Sequence, residues 1–195
     1  GGLFPEVFVT PLTPKKEEAT SLKHRHDGSA EKARKHYRNI LEKSFTESLR
    51  VVRVPKLVTV MFAHQSTDAW IALISALFSA GLSPNATWPL ATEMPKTALA
   101  LGTASLETSV TVACRPRQMG SATSFKEVRR EIEKVVRESV KRFWDYGFRG
   151  ADLIVACYGP AVGVFGKYER VEKADGTQVQ VPELLELART AARDA

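Results

Sequence analysis

Cysteine is scarce in this chain: Cys114 and Cys157 are the two among 195 residues. Both sit in apolar, strand-like or helix-like surroundings, and they read as buried free thiols rather than a disulfide framework. No Cys/His cluster has the spacing of a zinc site, and His24-x-His26 lacks a third ligand, so it reads as part of a basic loop. No apolar run approaches the roughly 20 residues of a membrane span, and no signal-peptide pattern opens the chain. Together these absences point to a cytoplasmic protein with neither membrane nor metal as partner. Catalytic signatures are missing too. There is no Gly-x-Gly-x-x-Gly and no P-loop, no Gly-x-Ser-x-Gly and no zinc-binding His pair. None of the ten prolines stands next to another.

What is present is enough apolar residue, 44%, to build one ordinary globular core. The net charge is +6, and it is local: residues 15 to 56 hold 12 Lys or Arg against 6 Asp or Glu, while the rest of the chain balances. His24, His26 and His36 fall in the same segment. Such a surface suits an anionic partner. It equally suits a solvated helix face. The chain opens Gly-Gly-Leu-Phe-Pro without capping or turn logic, which reads as a fragment of something longer.

Residues 1 to 28 are rich in Pro, Thr and charge and read as an irregular segment. Apolar spacings of three and four then predict a helix from Ser29, its N-cap, to the Pro55 stop. "LVTVMFA", residues 57 to 63, is a continuous apolar run suited to a strand buried on both faces. A helix capped by Ser66 or Thr67 follows and ends at Gly81. Strands are expected near 83 to 88 and 108 to 117, separated by a long polar loop, which makes the fold class α/β. Ser124-x-x-Glu127 has capping-box spacing and opens a long amphipathic helix that stops at Gly147. Its Lys and Arg alternate with Glu, as on a solvated face. "ADLIVACYGPAVGVFGKY" reads as two short helices broken at Gly159-Pro160, "ERVEKADGTQVQV" as a hairpin around Asp175-Gly176, and the last helix opens at Pro182.

Function is best sought at three strand exits: His64, Trp88-Pro89, and Arg115-Pro116-Arg117. In α/β sheets, ligand clefts lie beyond the carboxyl ends of parallel strands, and polar, aromatic and basic residues there could meet a base and its phosphates. The residues equally allow a plain reading, in which His64 caps the next helix, Trp88 packs on a neighbour and the arginines face water.

Several of these pieces occur together in a known family. Ala63-His64 ends a buried strand, and Ala69-Trp70 comes early in a helix closed by Gly81. Thr87-Trp88-Pro89 ends the next strand with Glu93 nearby, and Cys114-Arg115-Pro116-Arg117 closes the set. "LTPKKEE" and the later Gly-Pro-Ala segment add to the likeness, which spans most of residues 3 to 190. In this combination the chain resembles the C-terminal part of a family of large adenine-specific DNA methylases.

The resemblance implies a partial class I methyltransferase (Rossmann-like) sheet over residues 29 to 117, with a C-terminal helical and hairpin extension over 118 to 195. In that fold the strand order is 3-2-1-4-5-7-6 with strand 7 antiparallel. Residues 57 to 63, 83 to 88 and 108 to 115 would be strands 5, 6 and 7, so the first and third should be antiparallel neighbours with the second beyond. The glycine-rich loop for S-adenosylmethionine and the Asp-Pro-Pro-Tyr element for adenine are absent here. In the family they lie N-terminal to this part, so no catalytic or cofactor residue is assigned within the chain. The implied partners are double-stranded DNA and the missing N-terminal half of the same polypeptide. Lys15, Lys16, Lys23 and Arg25 would contact phosphates, and His64, Trp88 and Glu93 would form the rim of the substrate pocket. Arg115 and Arg117 would leave at the opposite rim. The alternative is a non-catalytic DNA-binding or interaction module of a larger defence-type complex.

Overall fold

A computed structural model describes residues 18–52, 57–64, 66–91, 108–117 and 121–195. Among the described residues a 3-10 turn, Lys23–Arg25, comes first. Asp27 and Gly28 then take left-handed backbone angles, φ 53 and 75, to reverse the chain. Helix α1, Ala30–Val51, starts at Ser29, whose hydroxyl accepts from the Lys32 N–H. Strand β1, Val58–Phe62, leads to α2, Thr67–Ser79, capped by Ser66 through the Asp68 N–H. Gly81 ends it at φ 80, a conformation that glycine adopts without steric cost. Strands β2, Leu82–Ala91, and β3, Thr108–Pro116, complete the main sheet.

The sheet order is β1-β3-β2, and β3 runs antiparallel to both neighbours. β1 and β2 are therefore parallel to each other and separated by one strand, in the order and sense expected for the three segments. The inner face carries Val60, Phe62, Val110 and Val112. Trp70 of α2 fits under it, edge-on to Phe62 at 5.0 Å. Trp70, Leu73, Ile74 and Leu77 are at most 1% exposed, each such burial stabilising by about 1.5–3 kcal/mol.

The expectation that β1 is buried on both faces is corrected. Its residues alternate between half-buried and exposed, and Met61 is 62% exposed. The helices among the described residues cover one face only. Pairing places Met61, Thr111 and Trp88 in one row across the outer face, and Trp88 is 65% exposed.

Downstream, β4, Ala122–Ser124, feeds α3, Phe125–Asp145, whose N-cap Ser124 accepts from the Glu127 N–H. Glu127 in turn accepts from the Thr123 hydroxyl, which holds its carboxyl below the usual range. Helix α4, Gly150–Phe165, is continuous through Pro160, so the two-helix reading of this stretch is wrong. A proline inside a helix costs about 3 kcal/mol or more. Ten residues of α4 are buried, among them Val155, Val162, Val164 and Phe165, and their transfer from water outweighs that cost.

β5, Arg170–Glu172, pairs in parallel with β4 rather than forming a full hairpin arm. The expected turn is present, with Gly176 at φ 80 and its N–H on the Lys173 carbonyl. Its return is short, with a bridge from Glu172 to Gln178, a Lys173 N–H to Thr177 carbonyl bond and a Val179 N–H to Val171 carbonyl bond. Helix α5, Val181–Arg193, begins with a Gln180/Glu183 capping box and Pro182. Helices α3 and α5 pack on α4, which itself lies against β2, so these helices and the sheet share one core.

Candidate functional site at the carboxyl end of β1

The chain leaves β1 through Ala63 and His64 and turns at once into α2. His64 is exposed, yet its ring is held in place. Nδ1 accepts from the Ser66 N–H at 2.9 Å, and the ring stacks on Phe62 at 6.3 Å. An accepting Nδ1 puts the proton of the neutral ring on Nε2. The His64 carbonyl also accepts from the Trp70 indole N–H at 2.9 Å, tying the strand exit to the buried aromatic cluster. His64 thus does cap the turn into α2, as the plain reading of the sequence allowed.

Beside it lies a cleft of about 420 Å³. Thr20, Lys23, Tyr37, His64 and Asp68 are among the residues that line it. The turn before α1 supplies Thr20 and Lys23, α1 supplies Tyr37, and the first turn of α2 supplies Asp68. Lys23 meets no carboxylate among the described residues. Asp68 pairs with Arg34 at 3.2 Å, joining α1 to α2; with both partners exposed, such a pair contributes at most about 1 kcal/mol. Burial pushes the Tyr37 hydroxyl above its ordinary pKa, so it stays neutral. The Thr20 hydroxyl oxygen is buried and finds no partner among the described residues. Among the described residues the cleft therefore offers an ammonium that meets no carboxylate, an imidazole, and the hydroxyls of Thr20, Ser21, Tyr37 and Ser66, a set suited to an anion with an adjacent hydrogen-bonding edge.

The structure brings Lys23 and His64 to this one cleft, though they stand 41 positions apart in sequence. Arg25 is on the same turn but is drawn to Glu18 at 2.8 Å. His36 approaches the Glu18 carbonyl at 3.2 Å, and the His26 and His36 rings meet at 4.6 Å, so His24-x-His26 belongs to a packed turn. Lys15, Lys16 and Glu93 lie outside the described residues. Trp88 does not join this cleft. It stands two strands away at the same end of the sheet and lines a separate cleft against α3 and α4.

Thr20, Tyr37 and Asp68 escaped the sequence reading, because nothing local links them to His64. At the opposite rim Arg117 is a structural pin. Its guanidinium donates to the Tyr168 and Glu169 carbonyls at 2.9 and 2.8 Å and lies 4.8 Å over the Phe78 ring. Burial lowers its pKa, and nearby Glu169 partly restores it. Among the described residues no group of three or more His, Cys, Asp or Glu is placed to hold a metal ion, and no helix is long and apolar enough to cross a membrane.

Compared with known proteins, the chain matches no family model, no curated protein and no solved structure.

Proposed function

We propose that this chain is the distal part of the catalytic domain of an S-adenosylmethionine-dependent DNA adenine methyltransferase. The observation that carries the reading is the strand order β1-β3-β2 with β3 antiparallel to both neighbours. That is the arrangement which the family resemblance implies for strands 5, 7 and 6. Among the described residues no strand pairs with the outer edge of β1, and that edge and the exposed outer face at Met61 suit a further strand and helix layer supplied by the N-terminal half. The residues of this chain do not include the glycine-rich loop or the Asp-Pro-Pro-Tyr element. No chemical step is therefore assigned to it, and the cofactor belongs to the missing half.

Within that reading, Lys23 contacts a phosphate and His64 borders the adenine pocket from the next strand. Contacts of the first kind position a duplex without reading its sequence. The second reading is a non-catalytic interaction module, which the same β1 edge favours, since an edge without a partner among the described residues could also accept a strand from another protein.

The test is the coding sequence upstream of Gly1, followed by expression of the joined polypeptide and assay of N6-methyladenine in duplex DNA. An in-frame Asp-Pro-Pro-Tyr element and methylated adenine are expected. An upstream region without that element sinks the methyltransferase reading and leaves the interaction module.

A further inference from the structure

A second cleft, of about 470 Å³, runs along the edge of β2 that pairs with no strand among the described residues. Its floor is α4, at Gly159, Pro160 and Gly163; one wall is the strand edge from Asn85 to Pro89, and the other is α3. This volume lies within the range of small-ligand sites, about 300–1,000 Å³. Three aromatic residues line it; Phe143 is buried, whereas Trp88 and Tyr146 are each 65% exposed. Rings of this size bury about 150–250 Å² when covered, so leaving two of them in water at one cleft forgoes a large stabilisation.

The polar lining is specific. Ser139 is only 3% exposed, lines the cleft, and makes no side-chain hydrogen bond among the described residues. The Arg142 guanidinium lies 4.9 Å over the Phe143 ring and meets no carboxylate there. Glu138, one turn earlier on α3, is likewise unpaired among the described residues.

Strand addition is the obvious use of an open edge, but this edge resists it. Pro84 and Pro89 bracket the segment and lack N–H donors, and the register shifts between Pro84 and Ala86. Prolines and bulges are devices that blunt edges. Exposed planar rings beside a cation, with hydroxyl and carboxylate groups between, instead match the way an unpaired base is held.

We propose that this cleft binds a nucleobase of an unpaired DNA strand. The base stacks on Trp88 and Tyr146, Arg142 meets the adjoining phosphate, and Ser139 and Glu138 face the base edge. The choice of DNA rests on the methyltransferase reading above. The geometry suits it, because β1 and β2 are parallel and Trp88 and Met61 both pair with Thr111. Trp88 therefore stands about 10 Å across the sheet from β1, two strand spacings away, and at the same end of the sheet as His64. A strand separated at the first cleft has this one within reach.

The experiment is anisotropy titration of the full chain with a labelled thymidine oligonucleotide, single-stranded and annealed to its complement. The single strand is expected to bind, and Trp88→Ala and Tyr146→Ala are each expected to weaken it about tenfold or more. Arg142→Ala should flatten its salt dependence. The side chains removed are exposed, so the circular dichroism melt should not move, and duplex binding carried by Lys23 should not change either. No binding of the single strand, or binding that neither aromatic substitution weakens, overturns the inference. The methyltransferase reading fails on a different observation, the upstream coding sequence, so the two failures are distinguishable.

Discussion

A Cβ placed on Gly159 would stand 1.8 Å from Oγ1 of Thr87 and 2.3 Å from its Cβ. Helix α4 thus lies against β2 at a distance that only glycine permits, and the site along the strand edge depends on that approach. Gly159→Ala is expected to destabilise the chain by about 3 kcal/mol, at the upper end of overpacking costs. Gly163→Ala makes the contrast, because its Cβ meets the Asn85 carbonyl oxygen at an ordinary 3.5 Å. That change should be neutral or stabilise by up to about 1 kcal/mol through helix propensity. Urea denaturation of the two variants checks both numbers, and equal stabilities would contradict the close approach.

Arg117→Met should destabilise by about 2–4 kcal/mol, since two charge-assisted bonds to the Tyr168 and Glu169 carbonyls are lost at a half-buried site. DNA affinity should hold once the variant is folded. A loss of affinity with unchanged stability would return Arg117 to the list of nucleic-acid contacts.

Both thiols are buried, and burial pushes Cys114 and Cys157 up to about 12 from an ordinary 9.0. The folded state therefore holds these protons more tightly than the unfolded one. Their contribution is complete below pH 9.0 and falls away as pH rises towards 12. A disulfide-exchange reagent at pH 8 should label neither thiol in the native chain and both in denaturant. Fast native labelling of Cys157 would show that α4 opens locally.

Lys23→Ala should reduce the slope of log duplex affinity against log salt by about 0.9, the value for one phosphate contact. Arg25→Ala should change it less, because the guanidinium is held by Glu18 at 2.8 Å. Equal slopes for wild type and Lys23→Ala would mean that the cleft beside His64 does not face DNA.

The elements visible in the sequence are those whose physics is local. Ser29, Ser66 and Ser124 each accept a bond from an N–H two or three residues on, so their helix starts were legible. Gly81 and Gly147 take φ 80 and 93 at helix ends, a conformation that glycine adopts without steric cost. The apolar runs were sufficient to mark three strands, and the family likeness supplied their order. Tertiary structure decided the rest. Pro160 sits inside one helix because burial around α4 outweighs a local penalty, a sum that no window of sequence contains. β4 and β5 pair although Thr123 and Val171 are 48 positions apart. Trp88 stays largely in water although its residue type favours burial, because β2 ends the sheet among the described residues and the cleft beside it is open. Lys23 and His64 share a cleft because α1 packs on α2 and carries the turn before it to the end of β1. Packing between distant segments, which local propensity does not encode, is what brought a basic segment and a strand exit to one cleft.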